Sequence, residues 1–121
     1  MSDEDKIAKH YPNVIEQGGT LSAVRAAFHG KHDGLEINGF GTGLAYAFLQ
    51  CGERSGQVFI ALEERLFMMD FSLGRDVLAT GRTPTFSELV ASLEQWLLTD
   101  CTLESLLGEF PFVTLKTQKR V

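Results

Sequence analysis

The stretch QVFIALEERLFMMDFSL, residues 57–73, decides how the chain is to be read. Val58, Ile60 and Leu62 alternate with Gln57, Phe59 and Ala61, and Phe67, Met69 and Phe71 alternate with Met68, Asp70 and Ser72. A period of two places each apolar set on one face of a strand. Glu63, Glu64 and Arg65 between the runs leave room only for a tight connection, so the strands are predicted to lie side by side and antiparallel.

The same signal continues in both directions. LEING and LAYAFLQC lie upstream and DVLAT downstream, with turn formers such as GERSG and LGRD between neighbouring runs. A meander of about four to six strands is the simplest connection. GFGTG, residues 39–43, falls between two of these strands. Glycines bunched in this way can wrap a phosphate, but nucleotide loops require G-x-G-x-x-G or G-x-x-x-x-G-K-[ST], with a helix N-terminus aimed at the ligand. Neither spacing is present and LAYAFLQC reads as strand, so GFGTG is predicted to be a turn.

Nearer the N-terminus, TLSAVRAAFHG supports two periods. Leu21, Val24 and Phe28 are close to helical spacing, whereas Ser22, Val24, Ala26 and Phe28 share a strand face, and of the two the strand is preferred. DEDKIAKH, residues 3–10, is predicted to be a short helix with acids in its first turn, stopped by Tyr11 and Pro12.

After Gly81 the period becomes helical. Thr85 and Glu88 in TFSE have capping-box spacing, and Leu89, Val90, Leu93, Trp96 and Leu97 form one apolar face. A second helix is predicted from a cap at Thr102, burying Leu103, Leu106, Leu107 and Phe110. FPFVTL then finishes as an edge strand or extended arm. The expected architecture is one α+β domain over residues 1–121, an antiparallel sheet with a short N-terminal helix and two C-terminal helices packed on one face.

ATGRTPTFSELVASLEQWLLTDCTLESLLGEFPFV joins a strand end, an amphipathic helix closing in Trp-Leu and a short Leu-rich helix closed by FPFV. Through Gly81, Thr83, Leu89, Val90, Trp96, Leu97, Leu103, Leu107, Phe110 and Pro111, this C-terminal third resembles a bacterial domain family labelled natural product biosynthesis protein. The resemblance implies a place in bacterial secondary metabolism and carries over no catalytic residue. The general build, a small acidic α+β domain, also resembles bacterial immunity proteins that neutralise secreted toxins, which implies a protein partner.

Charge narrows the field. With 11 Lys+Arg against 16 Asp+Glu the formal net charge is −5, which repels nucleic-acid phosphates. Lys116, Lys119 and Arg120 read as a solvated terminus rather than a binding arm. The acidic opening MSDEDKIAKHYP is unlike a secretory signal, and no run approaches the roughly 20 apolar residues that cross a bilayer. A cytoplasmic protein that meets neither membrane nor nucleic acid is expected. Cys51 and Cys101 fit a reducing compartment at least as well as a disulfide and are read as structural thiols.

Chemistry-bearing residues are sparse. His29 and His32, beside Asp33, lack further ligands at metal spacing and read as a polar turn, so neither metal nor cofactor is expected. Ser55 and Ser72 lack the G-x-S-x-G setting of a nucleophile, and Glu36, Glu63, Glu64, Asp70 and Asp76 form no evident catalytic pair. Met68 and Met69, flanked by Phe67 and Phe71, read either as a deformable binding face or as a strand buried on both sides. The expected function is a non-enzymatic protein-binding module of the immunity type, meeting a basic toxin domain through Glu63, Glu64, Asp70 and Asp76. The alternative is an accessory or catalytic domain in natural product biosynthesis, with a pocket lined by His29, His32, Tyr46 and Asp70. Self-association through LFMMDF is a third course, which leaves the oligomeric state open.

Overall fold

A computed structural model describes residues 2–116; Lys119 and Arg120 of the basic tail lie outside the described residues. The order of elements is α1 (Asp3–His10), α2 (Pro12–Glu16), α3 (Thr20–Phe28), β1 (Leu35–Asn38), β2 (Tyr46–Cys51), β3 (Arg54–Ile60), β4 (Phe67–Leu73), β5 (Asp76–Thr83), α4 (Phe86–Leu98), α5 (Leu103–Glu109) and β6 (Val113–Leu115). The strands form a six-stranded sheet in sequence order, each antiparallel to its neighbours. The α+β meander expected from residues 57–73 is therefore the fold, with β6 as the edge strand expected from FPFVTL.

One face of the pleat makes the core. Ala47 and Leu49, Val58 and Ile60, and Phe67, Met69 and Phe71 are buried there, against Leu89, Leu93, Trp96 and Leu97 of α4. Gly56 lets this helix come close: a Cβ at that position would stand 2.6 Å from Leu93 Cδ2. Trp96 donates its indole N–H to the Ser72 carbonyl at 3.1 Å and packs edge-on to Phe71. α4 ends without a glycine cap, because Thr99 is extended. Arg54 takes over that role. Its guanidinium lies 4.1 Å from the Trp96 ring centroid and donates to the carbonyls of Trp96, Thr99 and Cys101 at 3.0, 3.3 and 2.8 Å.

The N-terminal helices are tied to the sheet through Tyr11, which is fully buried. Its hydroxyl accepts from the Leu66 N–H at 2.9 Å, and its proton faces the carbonyls of Ala61, Glu64 and Leu66 at 2.6, 2.9 and 3.0 Å. One side chain thus holds the β3–β4 connection in shape.

Two expectations are corrected. TLSAVRAAFHG is the helix α3, not a strand: Ala23, Val24 and Phe28 are buried while Ser22 and Ala26 are exposed, so burial follows the helical period. The capping of α4 also differs, since β5 runs on to Thr83 and the Thr85 side chain makes no capping bond. Instead the Thr83 hydroxyl links the N-cap residue to the first turn, accepting from the Thr85 N–H at 3.1 Å and donating to Glu88 Oε1. The short helix α2 had no anticipated counterpart.

Candidate functional site

The second face of the sheet carries the candidate site. Alternation sends Tyr46 and Phe48 of β2, Gln57 and Phe59 of β3, Met68 and Asp70 of β4, and Thr80 and Arg82 of β5 away from the core. They form two cross-strand rows: Phe48, Gln57, Asp70 and Thr80 in one, Tyr46, Phe59, Met68 and Arg82 in the other. All are half-buried or exposed, in contrast to the buried row beneath α4.

A hydrogen-bonded line crosses this face. The Tyr46 hydroxyl donates to Gln57 Oε1 at 2.8 Å, and Gln57 Nε2 donates to Asp70 Oδ2 at 3.0 Å. The Gln57 backbone N–H donates to Asp70 Oδ1 at 3.1 Å. Each carboxylate oxygen therefore has one donor and at least one lone pair left over. Burial pushes the Asp70 carboxyl above its ordinary pKa, and the two Gln57 bonds and the charge of Lys116 offset part of this. The Tyr46 phenol is likewise raised, chiefly by burial and secondly by the Asp70 charge. Among the described residues no cation stands within 4.0 Å of Asp70; the ion pairs there are Lys6–Glu63 and Lys31–Glu94.

Apolar side chains surround the line. Phe59 is 41% exposed and its ring centroid lies 5.2 Å from that of Tyr46. At one end Phe40, 82% exposed, reaches out of the GFGTG turn over a hollow of about 560 Å³ lined by Ala45, Tyr46, Phe59, Ile60, Leu62 and Asp3. A smaller hollow of about 270 Å³ adjoins it at Phe59, and Met68, Asp70, Thr80 and Arg82 line it.

GFGTG is a turn, as expected. Gly43 has φ 75°, and a Cβ there would lie 2.9 Å from Leu21 Cβ, so the turn packs directly on α3. A helix N-terminus does stand beside it, but the Thr20 and Leu21 N–H groups at the start of α3 donate to the Leu44 and Gly43 carbonyls at 3.0 and 2.9 Å. Those donors are spent on the turn itself, which leaves the glycines the task of presenting Phe40.

The acids singled out in the sequence are spread along β4 and beyond its two ends. Asp70 lies on the open face. Glu63 and Glu64 sit in the β3–β4 connection, with Glu63 paired to Lys6 and the Glu64 carbonyl near the Tyr11 hydroxyl. Asp76 opens β5 at the far end of β4, a strand length of roughly 20 Å away. The residues of the alternative pocket also divide. Tyr46 and Asp70 are joined through Gln57, whereas His32 belongs to a separate cleft of about 700 Å³ with Cys51, Arg54 and Asp100. There His32 Nδ1 accepts from the Gly34 N–H at 2.9 Å and lies 3.8 Å from Cys51 Sγ. His29 is exposed just past α3. Cys51 and Cys101 are free thiols, and among the described residues no group of three or more His, Cys, Asp or Glu is placed to hold a metal.

Gln57, Phe59 and Phe40 were not singled out as site residues in the sequence. An aromatic in the polar phase of β3, and another between glycines at a turn, were the available signals for two of them. Gln57 had none, because its role depends on cross-strand register. Comparison with protein-family models, with curated proteins and with solved structures finds no match to this chain.

Proposed function

We propose that the chain is a non-enzymatic protein-binding module of the immunity type, which occludes a basic toxin domain with the open face of its sheet. The observation that carries this reading is the face left uncovered among the described residues, with Tyr46, Phe48, Phe59 and Met68 around the Asp70 carboxylate, which has no ion-pair partner among those residues. Six strands spaced at ~4.8 Å and a β4 rising ~3.3 Å per residue outline roughly 24 by 20 Å. Side-chain relief brings such a face towards the ~800 Å² that one partner contributes to a standard interface.

Charge favours a basic partner over a second copy. The net charge is −5, so two copies of the chain repel one another at long range whereas a basic partner is attracted. Opposite charge on the partner instead speeds encounter and fixes register. Co-expression with the products of the genes adjoining its own tests the reading. One product should be toxic alone, harmless beside this chain and co-purified with it; absence of any such product contradicts the proposal.

One observation favours the alternative, a domain serving natural product biosynthesis. The hollow under Phe40, at about 560 Å³, falls within the range of small-molecule pockets. Chemical-shift mapping of isotope-labelled protein with an apolar compound library would support this alternative if shifts centred on Phe40 and Leu62, and would count against it if none did.

A further inference from the structure

The geometry points to Asp70 as the receptor for a single guanidinium side chain of the partner, seated in the small hollow against Phe59 and Met68. This rests on the open face being the binding surface, and adds to it the chemical identity of the anchor. The hollow is about 270 Å³, on the scale of one long side chain, and beside Asp70 it is walled by Phe59, Met68, Met69, Thr80, Gly81 and the exposed side chain of Arg82. Asp70 supplies its charge, held in place by two donors from Gln57 at 3.0 and 3.1 Å.

Three features select a cation there. The carboxylate is partly desolvated, so an ion brought to it acts across less water than at an ordinary surface acid. Its remaining lone pairs suit the fork of N–H groups on a guanidinium. The neighbouring Phe59 ring offers a face on which a planar cation can stack. Among the described residues, three other ionisable groups face the site. The Tyr46 phenol is engaged with Gln57, while Arg82, on the next strand, and Lys116, after β6, do not reach ion-pair distance. Both cations are exposed and can swing outward as a guanidinium enters.

The test is amide mapping of isotope-labelled protein titrated with the peptide acetyl-Phe-Arg-Leu-amide and with its citrulline counterpart, which keeps the shape and lacks the charge. The arginine peptide should bind about tenfold more tightly, a difference of ~1.4 kcal/mol. Shifts should centre on Gln57, Phe59, Met68 and Asp70, and the difference should vanish in Asp70→Asn. A readout free of any variant is the Asp70 carboxyl carbon, whose titration midpoint should fall when the arginine peptide is bound. Equal binding of both peptides on the open face would overturn the guanidinium site and leave the face as the binding surface. Binding of neither peptide there would overturn both.

Discussion

Replacing Asp70 by Asn separates its charge from its hydrogen bonds. Gln57 can turn its amide so that Oε1 accepts from the new NH₂ group and Nε2 donates to the Tyr46 hydroxyl, whose own proton then turns to solvent. The folded pKa of Asp70 is raised, so between the ordinary carboxylate value and the raised one the folded state holds more proton than the unfolded state. Stability contributed by this group is therefore present at low pH and lost as pH rises through that window. Asp70→Asn should match or exceed the parent at neutral pH, within about 1 kcal/mol, and lack this part of the acid-side slope in urea denaturation. Tyr11→Phe is expected to act in the opposite direction. It leaves the buried Leu66 N–H without its acceptor and should cost about 1–3 kcal/mol in the same measurement. The outward position of Asp70 was legible in the sequence, because it alternates with Phe67, Met69 and Phe71. Its bond to Gln57 was not: pairing of residues 57 and 70 follows from the register that the β3–β4 connection imposes.

The elements depend on a few contacts that bridge distant parts of the chain. Arg54 closes the C-terminus of α4 from the start of β3, so Arg54→Ala should lower stability by about 2–3 kcal/mol and loosen that end first. Hydrogen exchange at residues 94–98 reads the second effect. The turn between β1 and β2 gives a paired test. Gly41 has φ 63° with open space around it, so alanine there meets only the left-handed backbone penalty of about 1 kcal/mol. At Gly43 alanine meets that penalty and the Leu21 side chain as well, so Gly43→Ala should show the larger fall in thermal midpoint. Strands β1 to β5, and helices α1, α4 and α5, were legible because each has an unbroken period or a clear cap. α3 was not, because Val24 and Phe28 fit both periods and tertiary burial of Ala23 decides between them. Thr83, not Thr85, holds Glu88 at the start of α4 because β5 extends past Gly81, a boundary that local sequence does not mark.

For the whole molecule, the helices pack against one face of the sheet and, among the described residues, leave the other uncovered. The sequence pointed to a small acidic α+β domain with a protein partner, and its two faces were implicit in the alternation of residues 57–73. It did not show how Glu63, Glu64 and Asp76 are spaced from Asp70, since their places at the two ends of β4 follow only once the meander is laid out. The central claim is that the open face occludes a toxin, and the most direct measurement compares the parent with Phe59→Ser/Met68→Ser in binding the toxic product of an adjoining gene by titration calorimetry. Both side chains lie outside the buried core, so the variant should keep its fold with only a modest fall in thermal midpoint from the lost cross-strand pair. It should bind at least about a hundredfold more weakly, as loss of central apolar anchors entails. Binding as tight as that of the parent, or no binding by either protein, would contradict the account.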